Sequence, residues 1–177
     1  MVPPPLPLDE RRRLQVLCEL GLLDTPPEER FDRIVRTAAR LFRVPVALVS
    51  LVDAERQWFK AKHGLEALQT PRDVSFCGHA ILNAEPLVVL DAKADERFAD
   101  NPLVTGAPFV RFYAGQPVRG PEGQRVGTLC LIDHVPRRFS EEDRRCLADL
   151  AAWVELELNL GALREAHEAL TSTGPAK

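Results

Sequence analysis

Between Arg72 and Leu82 the chain reads RDVSFCGHAIL, which sets a thiol, a glycine and an imidazole in consecutive positions at the start of a short apolar segment. Cys77 and His79 are the side-chain types that carry nucleophilic, redox or metal-binding chemistry. Asp73 or Ser75 has the short oxygen-bearing side chain that accepts a hydrogen bond from a free N–H of a first helical turn. Either one predicts a helix through His79, Ile81 and Leu82, stopped by Asn83 and Pro86. A thiol at such a helix start is favoured as thiolate by the exposed N–H groups. The competing reading is structural, with Cys77 a small buried hydrophobe and His79 a hydrogen-bonded wall residue.

The elements that must position this segment follow from the rest of the chain. Its 177 residues suit one domain with a real core, and a net charge of -3 without a Lys/Arg block among aromatics argues against nucleic acid as a partner. Arg11–Arg13 are balanced by Asp9 and Glu10 and mark a solvated helix face. No apolar run is long enough for a bilayer, and MVPPPLPLDE lacks the basic start and apolar middle of a signal peptide. A cytoplasmic protein without a membrane partner is expected. Cysteines 18, 77, 130 and 146 form no C-x-x-C pair, which predicts reduced thiols rather than a disulfide framework or a zinc knuckle. Residues 1–8 and the tail Thr171–Lys177 are expected to be disordered.

Asp9–Leu20 predicts a helix ended by Gly21, and GLLDTPPEERFDRIV predicts a turn and a second helix with Thr25 as N-cap and Glu28 at the capping-box position. PVALVSLVD reads as a strand buried on both faces, joined through Asp53–Glu55 to RQWFKAKHG. There Gln57, Phe59 and Ala61 are expected on one face and Trp58, Lys60 and Lys62 on the other. PLVVL predicts a brief strand, AKADERFADNPLVTGAP a long loop with Phe98, Leu103 and Val104 folded inward, and FVRFYAGQPVR with RVGTLCLID a second antiparallel hairpin. Ser140 caps a last helix running to about Leu170. Along it Leu156, Leu160, Leu163, His167 and Leu170 make a heptad stripe that predicts a homodimer through this helix.

GLLDTPPEERFDRIVRTAARLFRVPVALVSLVDAERQWFKAKHG, PRDVSFCGHAI, PLVVLDAKADERFADNPLV, RFYAGQPV and GTLCLID together resemble a GAF domain of bacterial signalling proteins, the type found ahead of histidine kinase and diguanylate cyclase modules. The resemblance implies an α+β, PAS-related fold. It has a central antiparallel sheet of about six strands, terminal helices on one face, and on the other a small-molecule pocket under a short helix and a long loop. Within that fold residues 9–158 are the domain, and 159–177 extend the last helix and end in the tail. The implied site residues are Phe76, Cys77 and His79 from the short helix, Asp91, Phe98, Asn101 and Leu103 from the loop, and Tyr113, Cys130 and Asp133 from the strands.

The resemblance implies a non-catalytic sensory module, not an enzyme and without cofactor or bound metal. It would bind an unidentified small molecule or sense redox state, and pass the signal through its last helix to a partner such as a histidine kinase or cyclase. The enzyme alternative is a thiol-dependent reductase of free methionine sulfoxide, with Cys77 and Cys130 as nucleophile and resolving thiol. Zinc on Cys77, His79, Asp91 and Cys130 is a further chemical option. No kinase, cyclase or DNA-binding module follows the last helix, which suggests a free-standing regulator or an excised domain.

Overall fold

Val46–Val52 is buried along its whole length, as a β-branched run with no polar face requires. It forms strand β1 near the middle of a six-stranded antiparallel sheet in the computed structural model, which describes residues 1–172, with side chains to residue 161. The elements in chain order are α1 (Glu10–Glu19), α2 (Glu29–Phe42), β1, β2 (Arg56–His63), β3 (Gln69–Pro71), α3 (Phe76–Ala80), β4 (Leu87–Val89), α4 (Pro102–Thr105), β5 (Phe112–Arg119), β6 (Arg125–Asp133) and α5 (Glu141–Ser172). The strand order is β3-β2-β1-β6-β5-β4, so both expected hairpins form and β1 joins them by pairing with β6.

The sheet separates two apolar layers. On one face Leu17, Phe31, Ile34, Val35, Ala38, Leu147, Ala151 and Val154 from α1, α2 and α5 pack on Ala47, Val49, Leu129 and Leu131. On the other, Phe76, Cys77, Ala80, Ile81, Phe98 and Val104 pack on Leu48, Phe59, Tyr113 and Cys130. The helices flanking the sheet and the α3 roof thus lie where the resemblance implied.

Three local differences from the sequence reading have physical causes. Helix α2 begins at Glu29, and Thr25 is not its cap: the Thr25 hydroxyl donates to the Leu22 carbonyl at 2.6 Å. Pro26 and Pro27 disfavour helical backbone in the residues that precede them. In β2 the pairing passes from Ala61 to Phe59, leaving Lys60 as a bulge. The extra residue reverses the alternation, so Ala61 joins Trp58 in the helix-side layer while Phe59 stays on the pocket side. Lys60 Nζ meets the Thr25 hydroxyl at 2.6 Å and the Pro26 carbonyl at 3.0 Å.

The long loop folds Phe98 and Val104 inward as expected, and both are fully buried. Last, the N-terminal stretch expected to be disordered lies against the roof. The Val2 N–H donates to the Arg97 carbonyl at 3.0 Å, and the terminal ammonium pairs with Asp100. The prolines there reduce the chain entropy lost on ordering.

Helix α5 starts as its sequence predicts. The Ser140 hydroxyl accepts from the Asp143 N–H at 3.1 Å and Asp143 accepts in return from the Ser140 N–H at 2.8 Å. Leu156 is 63% exposed, which leaves it free to meet another surface. The stripe positions Leu163, His167 and Leu170 lie outside the described side chains. Of the tail, Thr171 and Ser172 close α5, and residues 173–177 lie outside the described residues.

The buried guanidinium of Arg13 ties α1 to the sheet, donating to the Val52 carbonyl at 2.6 Å and to Glu10 at 2.7 Å. Glu10 also receives Arg72, just ahead of α3, at 2.5 Å. Burial pushes the Glu10 carboxyl up, but the hydrogen bonds from Arg13 and Arg72 outweigh it and bring it from 4.5 to about 2. Because the folded value is the lower one, the stabilisation is complete above about pH 4.5 and is lost as pH falls toward about 2. We expect the unfolding free energy from urea titration to fall between about pH 6 and about pH 3, with about 2 kcal/mol of that fall absent in Glu10→Gln. An unchanged pH dependence in Glu10→Gln would refute the role given to this carboxylate.

Candidate functional site

Ser75 makes α3 possible. Its side chain accepts from the Gly78 N–H at 2.8 Å and donates at 2.8 Å to the Gln57 carboxamide oxygen on β2. Gln57 in turn donates to the Thr70 hydroxyl on β3 at 2.6 Å. This chain of hydrogen bonds fixes α3 over the sheet, so that Phe76 stacks on Phe98 at 4.0 Å between centroids and tilts against Tyr113 at 5.1 Å.

A cavity of about 290 Å³ lies beneath this roof, walled mainly by Leu48, Phe59, Leu65, Phe76, Leu103 and Ile132. Cys77 and Tyr113 also line it, with Gln57, Thr70, Glu66 and the Ala107–Pro108 turn completing the wall. Glu66 is the one charged residue of the lining. Another hollow, of about 520 Å³, is an outer groove between α1 and the end of α5, on the far face of the sheet from Cys77.

Cys77 Sγ lies 3.8 Å from Cys130 Sγ and accepts a hydrogen bond from the Tyr113 hydroxyl at 3.4 Å. Both thiols are buried and unbridged. A side chain at Gly115 would collide with the Tyr113 hydroxyl, so this glycine, paired with Cys130, leaves room for the phenol beside the thiols. Burial pushes the Cys77 thiol up, but hydrogen bonding from Cys130, Thr128, Tyr113 and Ser50 outweighs it and brings the thiol down to about 6. Cys130, as donor to Cys77 and itself buried, is raised well above the ordinary range. Of the pair, Cys77 releases its proton first.

The predicted site residues separate into three groups. Phe76, Cys77, Leu103 and Tyr113 face the cavity, and Cys130 stands directly behind Cys77. Phe98 and His79 build the roof. The His79 ring meets Phe98 edge-on at 5.0 Å and its Nε2–H donates to the Val2 carbonyl at 2.9 Å, while burial lowers its pKa.

Asn101 caps α4, accepting from the Leu103 N–H at 2.9 Å and donating to the Val74 carbonyl at 3.0 Å. Asp91 pairs with Arg111 at 2.8 Å and Asp133 with Arg137, both away from the cavity lining. Among the described residues no three metal-binding side chains converge. Gln57, Leu48, Phe59 and Ile132 were missed as lining residues. Strand alternation places them on one face, whereas Leu65–Ala67 of the β2–β3 connection carries no pattern.

The GAF domain family matches residues 26–158, and the chain belongs to it. It is 47% identical over 155 residues to a cyclic di-GMP phosphodiesterase of Pseudomonas aeruginosa, across 87% of this chain and 26% of that protein. The chain therefore spans about a quarter of that relative's length. The expectation that the chain is not an enzyme is corrected by this match, because the relative is named an enzyme.

Among solved structures, the blue-light-absorbing form of the Thermosynechococcus elongatus PixJ GAF domain superposes with a TM-score of 0.62 at 18% identity, over 97% of this chain and 100% of that one. A free methionine-R-sulfoxide reductase from Neisseria meningitidis, solved with its substrate, gives 0.61 at 19% identity over 85% and 89%. At these identities the likeness shows the shared fold. No helix among the described residues is long and apolar enough to cross a membrane.

The Tyr113 hydroxyl stabilises the charged form of Cys77, so its removal raises the thiol pKa. In a Cys18→Ser/Cys146→Ser background, the rate of alkylation of Cys77 by a small neutral reagent should rise through about pH 6, and Tyr113→Phe should move that midpoint up by about one unit. An unmoved midpoint would contradict the assignment of Tyr113 as the donor.

Proposed function

We propose that this GAF domain is the sensory part of an enzyme of the cyclic di-GMP phosphodiesterase kind, and that occupancy of the α3 cavity is read through α5. The 47% identity to the Pseudomonas aeruginosa enzyme supports the enzyme class. The observation that carries the sensory reading is the cavity itself, whose charge and size define what it accepts. With an apolar wall and Glu66 as its one charged group, about 290 Å³ suits a neutral, largely apolar molecule of roughly a dozen non-hydrogen atoms.

A cyclic dinucleotide is a poor fit. Its two phosphates need cationic partners, and no lysine or arginine lines the wall. In this reading cyclic di-GMP is the substrate of the enzyme, and a different molecule is the signal. Phe76, Cys77, Leu103 and Tyr113 contact the ligand, Phe98, His79 and Asn101 hold the roof, and Cys130 backs the thiol. Asp91 and Asp133 fix the ends of the strands that frame it.

The 3.8 Å approach of Cys77 and Cys130 favours a second reading, the thiol-dependent reduction of methionine sulfoxide. That substrate carries both an ammonium and a carboxylate, and a lining with Glu66 as its single charge supplies no partner for the carboxylate.

Indole serves as a neutral aromatic probe of the cavity. We expect saturating indole to raise the thermal unfolding midpoint by about 3 °C, and Leu103→Trp, which fills the cavity, to abolish the shift. A shift that survives Leu103→Trp, or none in the unsubstituted protein, would reject the cavity as a binding site.

A further inference from the structure

The deepest wall of the cavity carries more chemistry than ligand binding needs. Cys77 lines the cavity, whereas Cys130, whose Sγ lies 3.8 Å from that of Cys77, does not. The Tyr113 hydroxyl donates to Cys77, and the Thr128 side chain on β6 is buried beside the pair. No disulfide joins the two thiols.

We infer that Cys77 and Cys130 are a two-thiol oxidation site for a small organic hydroperoxide admitted through the apolar cavity. The inference rests on the reading of this cavity as the sensory site, and adds what the signal is. The wall of Leu48, Phe59, Leu65, Phe76, Leu103 and Ile132 selects an apolar carrier for the O–O bond. Glutathione disulfide finds no cationic partner there and is too large for about 290 Å³.

The chemistry balances with the hydroperoxide as sole oxidant. Cys77, having released its proton, attacks one peroxide oxygen, forming an S–O bond as the O–O bond breaks. The departing alkoxide takes up the proton and leaves as the alcohol, and Cys77 becomes a sulfenic acid. Cys130 sulfur then attacks Cys77 sulfur, the S–S bond forms, the S–O bond breaks, and the hydroxide leaves as water with the proton of Cys130. Two thiols and one hydroperoxide give one disulfide, one alcohol and one water.

The order of roles follows from position, since Cys77 lines the cavity and Cys130 does not. Closing the gap draws α3 toward β6. On the opposite face of the sheet, the neighbours of Cys130, Leu129 and Leu131, pack in the layer that holds Leu147, Ala151 and Val154 of α5. Oxidation at the roof is therefore felt by the helix that carries the signal.

The test is thiol mapping of the full chain after treatment of the reduced protein with one equivalent of cumene hydroperoxide. Two of the four thiols should be lost, at Cys77 and Cys130, with cumyl alcohol formed in equal amount and both thiols recovered by dithiothreitol. Cys130→Ser should instead accumulate a sulfenic acid at Cys77 that dimedone traps, and Cys77→Ser should leave Cys130 reduced. Cumene hydroperoxide should react about tenfold faster than hydrogen peroxide, the reverse order overturning the assignment of the oxidant.

Oxidation confined to Cys18 or Cys146, with Cys77 and Cys130 still reduced, would overturn the site. Indole stabilisation without disulfide formation would sink this inference and leave the small-molecule reading standing. Disulfide formation without indole stabilisation would keep the thiol pair as an oxidation site and overturn the entry of its oxidant through the apolar cavity.

Discussion

The hydrogen bond from Ser75 to Gln57 is the contact on which the site depends. A helix of five residues, such as Phe76–Ala80, is far too short to be stable alone, so it exists because its first turn is capped and its cap is bolted to the sheet. Gln57 can reach Ser75 because its side chain stays on the pocket face of β2, with the bulge at Lys60 placed beyond it. The same bulge turns Ala61 toward the helices and lets Lys60 hold the α1–α2 connection through Thr25 and Pro26. A local irregularity in one strand thus sets both the roof on one face and the helix packing on the other.

That arrangement gives the sheet its functional asymmetry. The helix-side layer is one continuous apolar cluster from α1, α2 and α5 to the sheet. The roof-side layer is thinner. It leaves a hollow between α3, the α4 segment and the β2–β3 connection, and brings two thiols together at its inner wall. Strand β6 belongs to both layers, with Cys130 facing the cavity and Leu129 and Leu131 facing α5. Coupling between a pocket event and the last helix needs only this one shared strand.

The order of the elements, the two hairpins and the capped last helix were legible in the sequence, because each rests on a local signal: alternation, a turn of polar residues, or Ser140 before an acidic first turn. That a short helix carrying Phe76, Cys77 and His79, together with a loop carrying Phe98, covers one face of the sheet was legible through family resemblance. The start of α2 was misread, since Thr25 and Glu28 have capping-box spacing while two prolines hold the intervening backbone extended. The side assignment of Ala61 failed because nothing in RQWFKAKHG marks a bulge. Asp91 and Asp133 were expected at the pocket, yet each finds an arginine, Arg111 and Arg137, whose placement is a tertiary matter. The approach of Cys77 to Cys130 across fifty-three positions is likewise invisible to any local pattern.

The claim that joins these observations is that a change at the roof reaches α5 through β6. Amide hydrogen exchange, followed by mass spectrometry on the protein with and without saturating indole, tests it most directly. The account predicts slower exchange in residues 76–80 together with a change in residues 125–133 and 141–158. A change confined to the roof, with β6 and α5 exchanging as before, would contradict it.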